Sequence, residues 1–252
     1  MTVIVHDRLT LVTGTSSGIG AAVVRGLLDA GWTVVGLSRR NADFDSSQYR
    51  HLQVDLSDLG ALREVAETTL APILSDSRWQ RVGLVNNAAS TGVMQPVEDI
   101  DPASLATVFA LNALAPIYLM GVVAGHAPST SRLRIVNVST GVATRPFPGL
   151  SAYGSSKAAL RLAGMTLAAE LQSDARPGGV RSNFAVMSYS PGVVDTPMQE
   201  LARSGDHVWS QPFVDFHARG QLVPPQAPAA DIVRFLVSDS RETFVERRLG
   251  DA

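Results

Sequence analysis

The chain has 252 residues, of which 45% are hydrophobic and 17% charged, with a formal net charge of −2 and no cysteine. That balance supplies one large core and excludes a disordered polyelectrolyte. The lack of a basic stripe gives no nucleic-acid footprint, and the lack of cysteine excludes disulfides, thiolate nucleophiles and Cys-ligated metals.

Arg8–Thr13 is a short apolar run ending at Gly14, and Ile19–Ala30 carries helical periodicity that stops at Gly31. Thr33–Leu37 reads as a second buried strand. Asp58–Leu74 is amphipathic, with Leu59, Leu62, Val65 and Leu70 among its apolar positions, and Val82–Val85 is a third strand. Asp101 before Pro102 has the pattern of an N-cap with proline at the first helical position, opening a helix towards Val123. Leu133–Val138, Ser151–Gln172 and Val180–Ser188 follow as strand, helix and strand. Strands separated by helices of this length predict right-handed β-α-β units, and runs without in/out alternation predict strands covered on both faces. The expected class is α/β: residues 1–252 as a single, doubly wound parallel-sheet domain of Rossmann type, with helices on both faces.

Residues 195–228 break the pattern with Pro197, Pro212, Pro224, Pro225 and Pro228 beside Trp209, Phe213 and Phe216, and are expected to form a substrate loop or lid. The tail, Glu242–Ala252, lacks a glycine-rich strand signature, which leaves a final strand open. Met1–His6 shows no charged-then-apolar leader, and no apolar run approaches the roughly eighteen residues that span a bilayer, so a cytoplasmic protein without membrane contact is expected.

Thr13-Gly14-Thr15-Ser16-Ser17-Gly18-Ile19-Gly20 joins the first strand to the first helix. Glycines let backbone N–H groups approach a pyrophosphate, and the helix N-terminus adds partial positive charge. Such a loop can also be a plain connection. Between the first strand and helix of an α/β pattern, nucleotide binding is the favoured reading, with Gly14, Ser16, Ser17, Gly18, Ile19 and Gly20 around the phosphates. The second strand ends in Ser38-Arg39-Arg40, with no carboxylate before Asp43. An acidic residue there would bind a ribose 2′-hydroxyl, whereas guanidinium forks suit a 2′-phosphate. NADP(H) is therefore the expected cofactor, two solvated arginines being the alternative.

Of the 21 basic residues only Lys157 is lysine, and it lies four positions after Tyr153. On a helix that spacing puts phenol and ammonium on one face, a turn apart. A nearby positive charge lowers a tyrosine pKa, so the pair reads as a tuned proton donor; a solvated surface pair is the plain alternative. The five histidines are scattered without metal-ligand spacing, and no metal is expected.

Together these residues resemble the short-chain dehydrogenase/reductase family over nearly the whole chain. The matching elements, in order, are Thr13–Gly20, Asp55-Leu56, Asn86-Asn87-Ala88-Ala89, Asn112, Ser139, Tyr153 with Lys157, and Pro191-Gly192-Val193-Val194-Asp195-Thr196. Ala89 stands where the family's motif usually has glycine. The resemblance implies that Tyr153 protonates the developing alkoxide, Lys157 lowers its pKa and holds the nicotinamide ribose, Ser139 orients the substrate oxygen, and Asn112 holds a relay water through its helix. It also implies that Asp55 and Leu56 flank the adenine. Asn87, Ala88 and Ala89 would line the cofactor cleft, and Pro191, Gly192, Val194, Thr196 and Met198 the nicotinamide end.

Ser38–Asn41 and, in the C-terminal third, Tyr189–Gly192, Asp195–Arg203 and Arg219–Val223 are similar to sepiapterin reductases and bacterial benzil-type dicarbonyl reductases, whereas the tail departs from the sepiapterin type. Thr140, Val142, Phe147, Tyr189, Met198, Trp209 and Phe213 are the candidate pocket residues, and a mostly apolar cleft is expected. The expected activity is NADPH-dependent reduction of a ketone or dicarbonyl, the partner being a small carbonyl compound. The alternatives are the reverse alcohol dehydrogenase and a non-catalytic NADP-binding regulator. A homo-oligomer, dimer or tetramer, is expected through the two long helices.

Overall fold

The computed structural model describes residues 6–176, 178–204, 208–240 and 242–251. Seven strands form one parallel sheet in the order β3-β2-β1-β4-β5-β6-β7: β1 Arg8–Thr13, β2 Thr33–Ser38, β3 Tyr49–Gln53, β4 Arg81–Asn86, β5 Arg132–Val138, β6 Phe184–Ser190 and β7 Phe244–Arg248. The central strands are buried residue after residue, because helices cover both faces. This is a doubly wound, Rossmann-type sheet.

The helices are α1 Gly18–Asp29, α2 Leu59–Val65, α3 Ala71–Leu74, α4 Pro102–Phe109, α5 Ala115–His126, α6 Ser151–Gln172, α7 Pro197–Arg203, α8 Gln211–Ala218 and α9 Gln226–Val237. One core, with Leu11, Leu84, Leu119, Ile135 and Leu160, fills the side covered by α2 to α6; the other, with Val23, Leu27, Val136, Met187 and Phe235, fills the side covered by α1 and α9. Each fully buried Leu or Val of these cores contributes roughly 1.5–3 kcal/mol.

Asp58 caps α2, its Oδ1 accepting from the N–H groups of Gly60 and Ala61 at 3.0 Å, and Asp101 caps α4 by accepting from Ser104 N at 2.7 Å. Each of these helices widens into a π turn, Ala66–Leu70 and Ala110–Leu114, just before a proline, Pro72 and Pro116. The shared cause is steric: proline lacks an N–H and its ring crowds the carbonyl four residues back, and a wider turn relieves both.

Three expectations are corrected. Edge strand β3 was not foreseen, since Tyr-Arg-His-Leu-Gln is polar and half-exposed. The fifth predicted strand begins at Phe184, not Val180, because Gly178 and Gly179 turn with positive φ and Arg181 points inward, donating to the carbonyls of Ala127, Pro128 and Ser131. The segment Pro102–His126 is, by length and composition, apolar enough to cross a membrane, against the expectation that no stretch approached that length. Half of its apolar window is buried within the domain, packed against α6 and the sheet. The open question of a last strand is answered by β7, which pairs with β6 from Val186↔Phe244 to Ser190↔Arg248.

Candidate active site

The site is assembled at the C-terminal ends of the strands. Gly14 and Gly18 adopt φ of 72° and 56°, the left-handed region where glycine is favoured. A Cβ on Gly20 would overlap the Gly14 carbonyl oxygen and come within 2.6 Å of Asn87 Nδ2. The loop is locked from below. Asn87 Nδ2 donates to Thr13 O at 2.9 Å and Gly14 O at 3.3 Å, while Thr13 Oγ1 accepts from Asn87 N and Ala88 N at 2.9 Å. Ala89 continues this loop, half-buried.

Ser17 is the N-cap of α1 but makes no side-chain cap bond, and the first turn holds no acidic residue. The first N–H groups of α1 therefore face the loop without a protein anion. Ile19 turns into the core beneath. This cradle, closed to any side chain larger than hydrogen at Gly20, fits a dinucleotide pyrophosphate.

Arg40 reaches across that cradle, its Nη2 donating to Ser16 Oγ at 3.3 Å and Ser17 Oγ at 3.2 Å. Ser38 is buried and donates to Arg40 O at 2.8 Å. Arg39 leans instead on Asp55, with 3.7 Å between Nη1 and Oδ2. The Asp55 carboxyl is held below the usual range, chiefly by the Ser57 hydroxyl at 2.6 Å and with help from Arg39. Leu56 turns its side chain into the core, 3% exposed, so its backbone is what can border an adenine.

Lys157 is 2% exposed, and its Nζ donates to Val138 O at 2.8 Å, one residue before Ser139. Tyr153, half-buried on the same face of α6, meets the Thr140 hydroxyl. Burial pushes its phenol up to about 12, opposed only by the Thr140 hydrogen bond, and burial brings Lys157 down to about 8. The expected lowering of the phenol by its ammonium neighbour is thus overturned for the cofactor-free protein: loss of solvation dominates, and the ammonium is turned to a backbone carbonyl.

Asn112, fully buried in the second π turn, uses its whole amide as a brace. Oδ1 accepts from Ser90 N at 2.9 Å, and Nδ2 donates to Ser90 O at 2.8 Å and Ser156 Oγ at 3.0 Å. A relay water would have to use its backbone carbonyl, which in an unbroken α-helix would accept from the N–H that Pro116 lacks.

Pro191 is buried, Gly192 turns with φ 76°, and Val194 bridges Val223 in the second core. This chain path brings Thr196 over the phosphate loop, where a Cβ on Gly18 would stand 3.0 Å from Thr196 Cγ2. Met198 follows on α7, half-buried. Beyond it, Gln199 Nε2 donates to Phe213 O at 3.2 Å and joins α7 to α8. Phe213 meets Phe147 with ring centroids 5.7 Å apart, and Trp209 packs on Gly149. Trp209 and Phe213, from the expected lid 195–228, thereby lie against the loop between β5 and α6; residues 205–207 of that span lie outside the described residues. Val142 is half-buried in that loop.

Tyr189 is corrected. It points to the opposite face of the sheet, 1% exposed in the second core, and donates to Asp231 Oδ2 at 2.9 Å. The cavity beside the reactive side chains, about 150 Å³, is polar, not apolar. Of the candidate pocket residues it includes only Thr140, while Ser188, Ser190, Arg161 and Arg248 were not among the expected site residues.

Fold and site together define a nicotinamide-nucleotide oxidoreductase of the Rossmann type. The chain belongs to the short chain dehydrogenase family, whose description it matches over residues 8–207. It is 32% identical to a benzil reductase ((S)-benzoin forming) of Bacillus subtilis (strain 168), covering 91% of this chain and 93% of the relative. It is 30% identical to the sepiapterin reductase of Bos taurus, covering 93% and 91%. Among solved structures, the KRED1-Pglu enzyme superposes with a TM-score of 0.75 at 25% identity, covering 94% of this chain and all of that one.

Proposed function

We propose that this protein is an NADPH-dependent carbonyl reductase. The observation that carries the reading is the convergence of Ser139, Thr140, Tyr153 and Lys157 at the end of β5, beside a glycine cradle that Arg40 crosses. When bound, the nicotinamide supplies the hydride that turns a carbonyl into an alkoxide. Tyr153 then gives its proton to that oxygen. A phenol near 12 is protonated at every physiological pH, yet is a far stronger acid than an alcohol, so the transfer runs downhill. Ser139 holds the oxygen in place, and Lys157 keeps the end of β5 and the phenol in register while offering its charge to the ribose.

Arg40 supports the NADP preference, since a 2′-phosphate beside Ser16 and Ser17 would find a guanidinium already in place. Relatives named for reducing benzil and sepiapterin support a carbonyl substrate. Exposed Leu114, Ile117, Leu162 and Met165 on α5, α6 and the turn between α4 and α5 support assembly through these helices.

The test is a carbonyl panel with NADPH and NADH, benzil and sepiapterin included. Wild type should oxidise NADPH with at least one dicarbonyl, and Tyr153→Phe should lose about 100-fold or more in kcat. Near-normal turnover in that variant would defeat the mechanism.

A further inference from the structure

The ends of β5, β6 and β7 place a row of side chains on the α6 side of the sheet. Val138 pairs with Tyr189, so Ser139, one residue on, falls opposite Ser190, and Ser190 pairs with Arg248. One row below, Asn137, Ser188 and Glu246 align. Adjacent strands lie about 4.8 Å apart, which sets the Ser139 and Arg248 backbones about 10 Å apart, within reach of an arginine side chain across a small substrate.

The cavity along these rows is built for polar contact. Ser139 and Ser188 are each 6% exposed, border the cavity, and their hydroxyls make no hydrogen bond to any described residue. The charges around it are unequal. Glu246 is paired with Arg161, whose Nη2 donates to Oε2 at 2.8 Å, and Asp251 accepts from the backbone N–H of Arg248 at 2.7 Å, so the lining sets three arginines, Arg161, Arg247 and Arg248, against two carboxylates. Arg247 leans on Glu242, 3.7 Å away. Arg248 borders the same cavity, is exposed, and forms no ion pair with a described residue.

We propose that Arg248 makes this cavity an anion-binding subsite, so that the substrate is a ketone bearing a carboxylate, or a like anion, a few carbons from the reacting carbonyl. The proposal rests on the reductase reading above and narrows it. Guanidinium binds carboxylate with two parallel hydrogen bonds, and free serine hydroxyls can donate to the same group or to the carbonyl oxygen. An uncharged diaryl diketone would leave Arg248 and these hydroxyls unmatched.

The experiment compares 4-oxopentanoate with its methyl ester as NADPH-dependent substrates of wild type, Arg248→Gln and Arg248→Glu. Calorimetric titrations with pentanoate and pentanamide report binding without turnover. Wild type should favour the acid over the ester at least tenfold in kcat/KM, mainly through KM, and should bind pentanoate but not pentanamide. Arg248→Gln should lower the acid-to-ester ratio about tenfold or more, and Arg248→Glu should invert it. A wild-type preference for the ester, or equal losses for both substrates in Arg248→Gln, overturns the subsite. Arg248-dependent pentanoate binding with no ketone reduced retains the subsite and removes the reductase reading. Benzil turnover without pentanoate binding does the reverse.

Discussion

Lys157 Nζ is bonded at 2.8 Å to the carbonyl of Val138, the last residue of β5 and the one before Ser139. A single ammonium therefore ties the second turn of α6 to the strand end that carries the reactive serine. Because its partner is a neutral carbonyl in a dry interior, the charge is under strain, and burial brings the group from 10.5 down to about 8. Between those two values the unfolded chain holds more protons than the folded one, so stability rises with pH across that window. Below pH 8 the full cost of the buried charge is present.

Lys157→Met removes this titration. Urea unfolding of the cofactor-free protein should show wild type gaining on the variant between pH 8 and 10, with a slope approaching about 1.4 kcal/mol per pH unit. A difference that does not change with pH in that interval counts against the buried, strained ammonium.

Arg40 and not Arg39 crosses the phosphate loop, since Arg39 is engaged with Asp55. Arg40→Ala should weaken NADPH binding about tenfold, near 1.4 kcal/mol, and NADH binding less than twofold. Fluorescence titration of both nucleotides measures this. Equal losses would place Arg40 in a purely structural role.

Gly20→Ala would drive a methyl group into Gly14 O and Asn87 Nδ2. The loop must shift, at about 1–3 kcal/mol in stability, and the pyrophosphate cradle shifts with it. The dissociation constants of NADPH and NADH should rise together, in contrast to the selective effect at Arg40. Unchanged affinity for both would mean the loop does not hold the phosphates.

Tyr189→Phe removes the bond to Asp231, a residue that retains Arg234 at 2.8 Å. It should cost about 1 kcal/mol in thermal or urea unfolding and move a carbonyl KM less than twofold. A large KM effect would return Tyr189 to the substrate wall.

Much of the fold was legible because local signals and buried strands agreed. Arg8–Thr13 and Leu133–Val138 are continuous apolar runs, and Asp58 and Asp101 are caps with a side-chain oxygen in the right place. β3 was not legible because an edge strand with one covered face can be polar, and Val180–Asn183 misled because an apolar-looking start belonged to a glycine turn. At the site, Gly14, Gly18, Gly20, Tyr153 and Lys157 were visible as spacing. Arg248 and Ser188 carry no motif, and Ser190 lay in a matching stretch without a role assigned to it.

By itself, the order of residues determined the parallel α/β class, the phosphate loop, and the placement of a phenol and the one lysine on a shared helix face. These are properties of neighbours in the chain, set by backbone freedom and helical pitch. Only the tertiary structure decided that the phenol is raised by burial, that Tyr189 belongs to the core, that Asn112 is a brace, and that β7 brings Arg248 into line with Ser139. Those outcomes depend on which groups lose water and which strands lie side by side, quantities fixed by contacts between residues far apart in the chain.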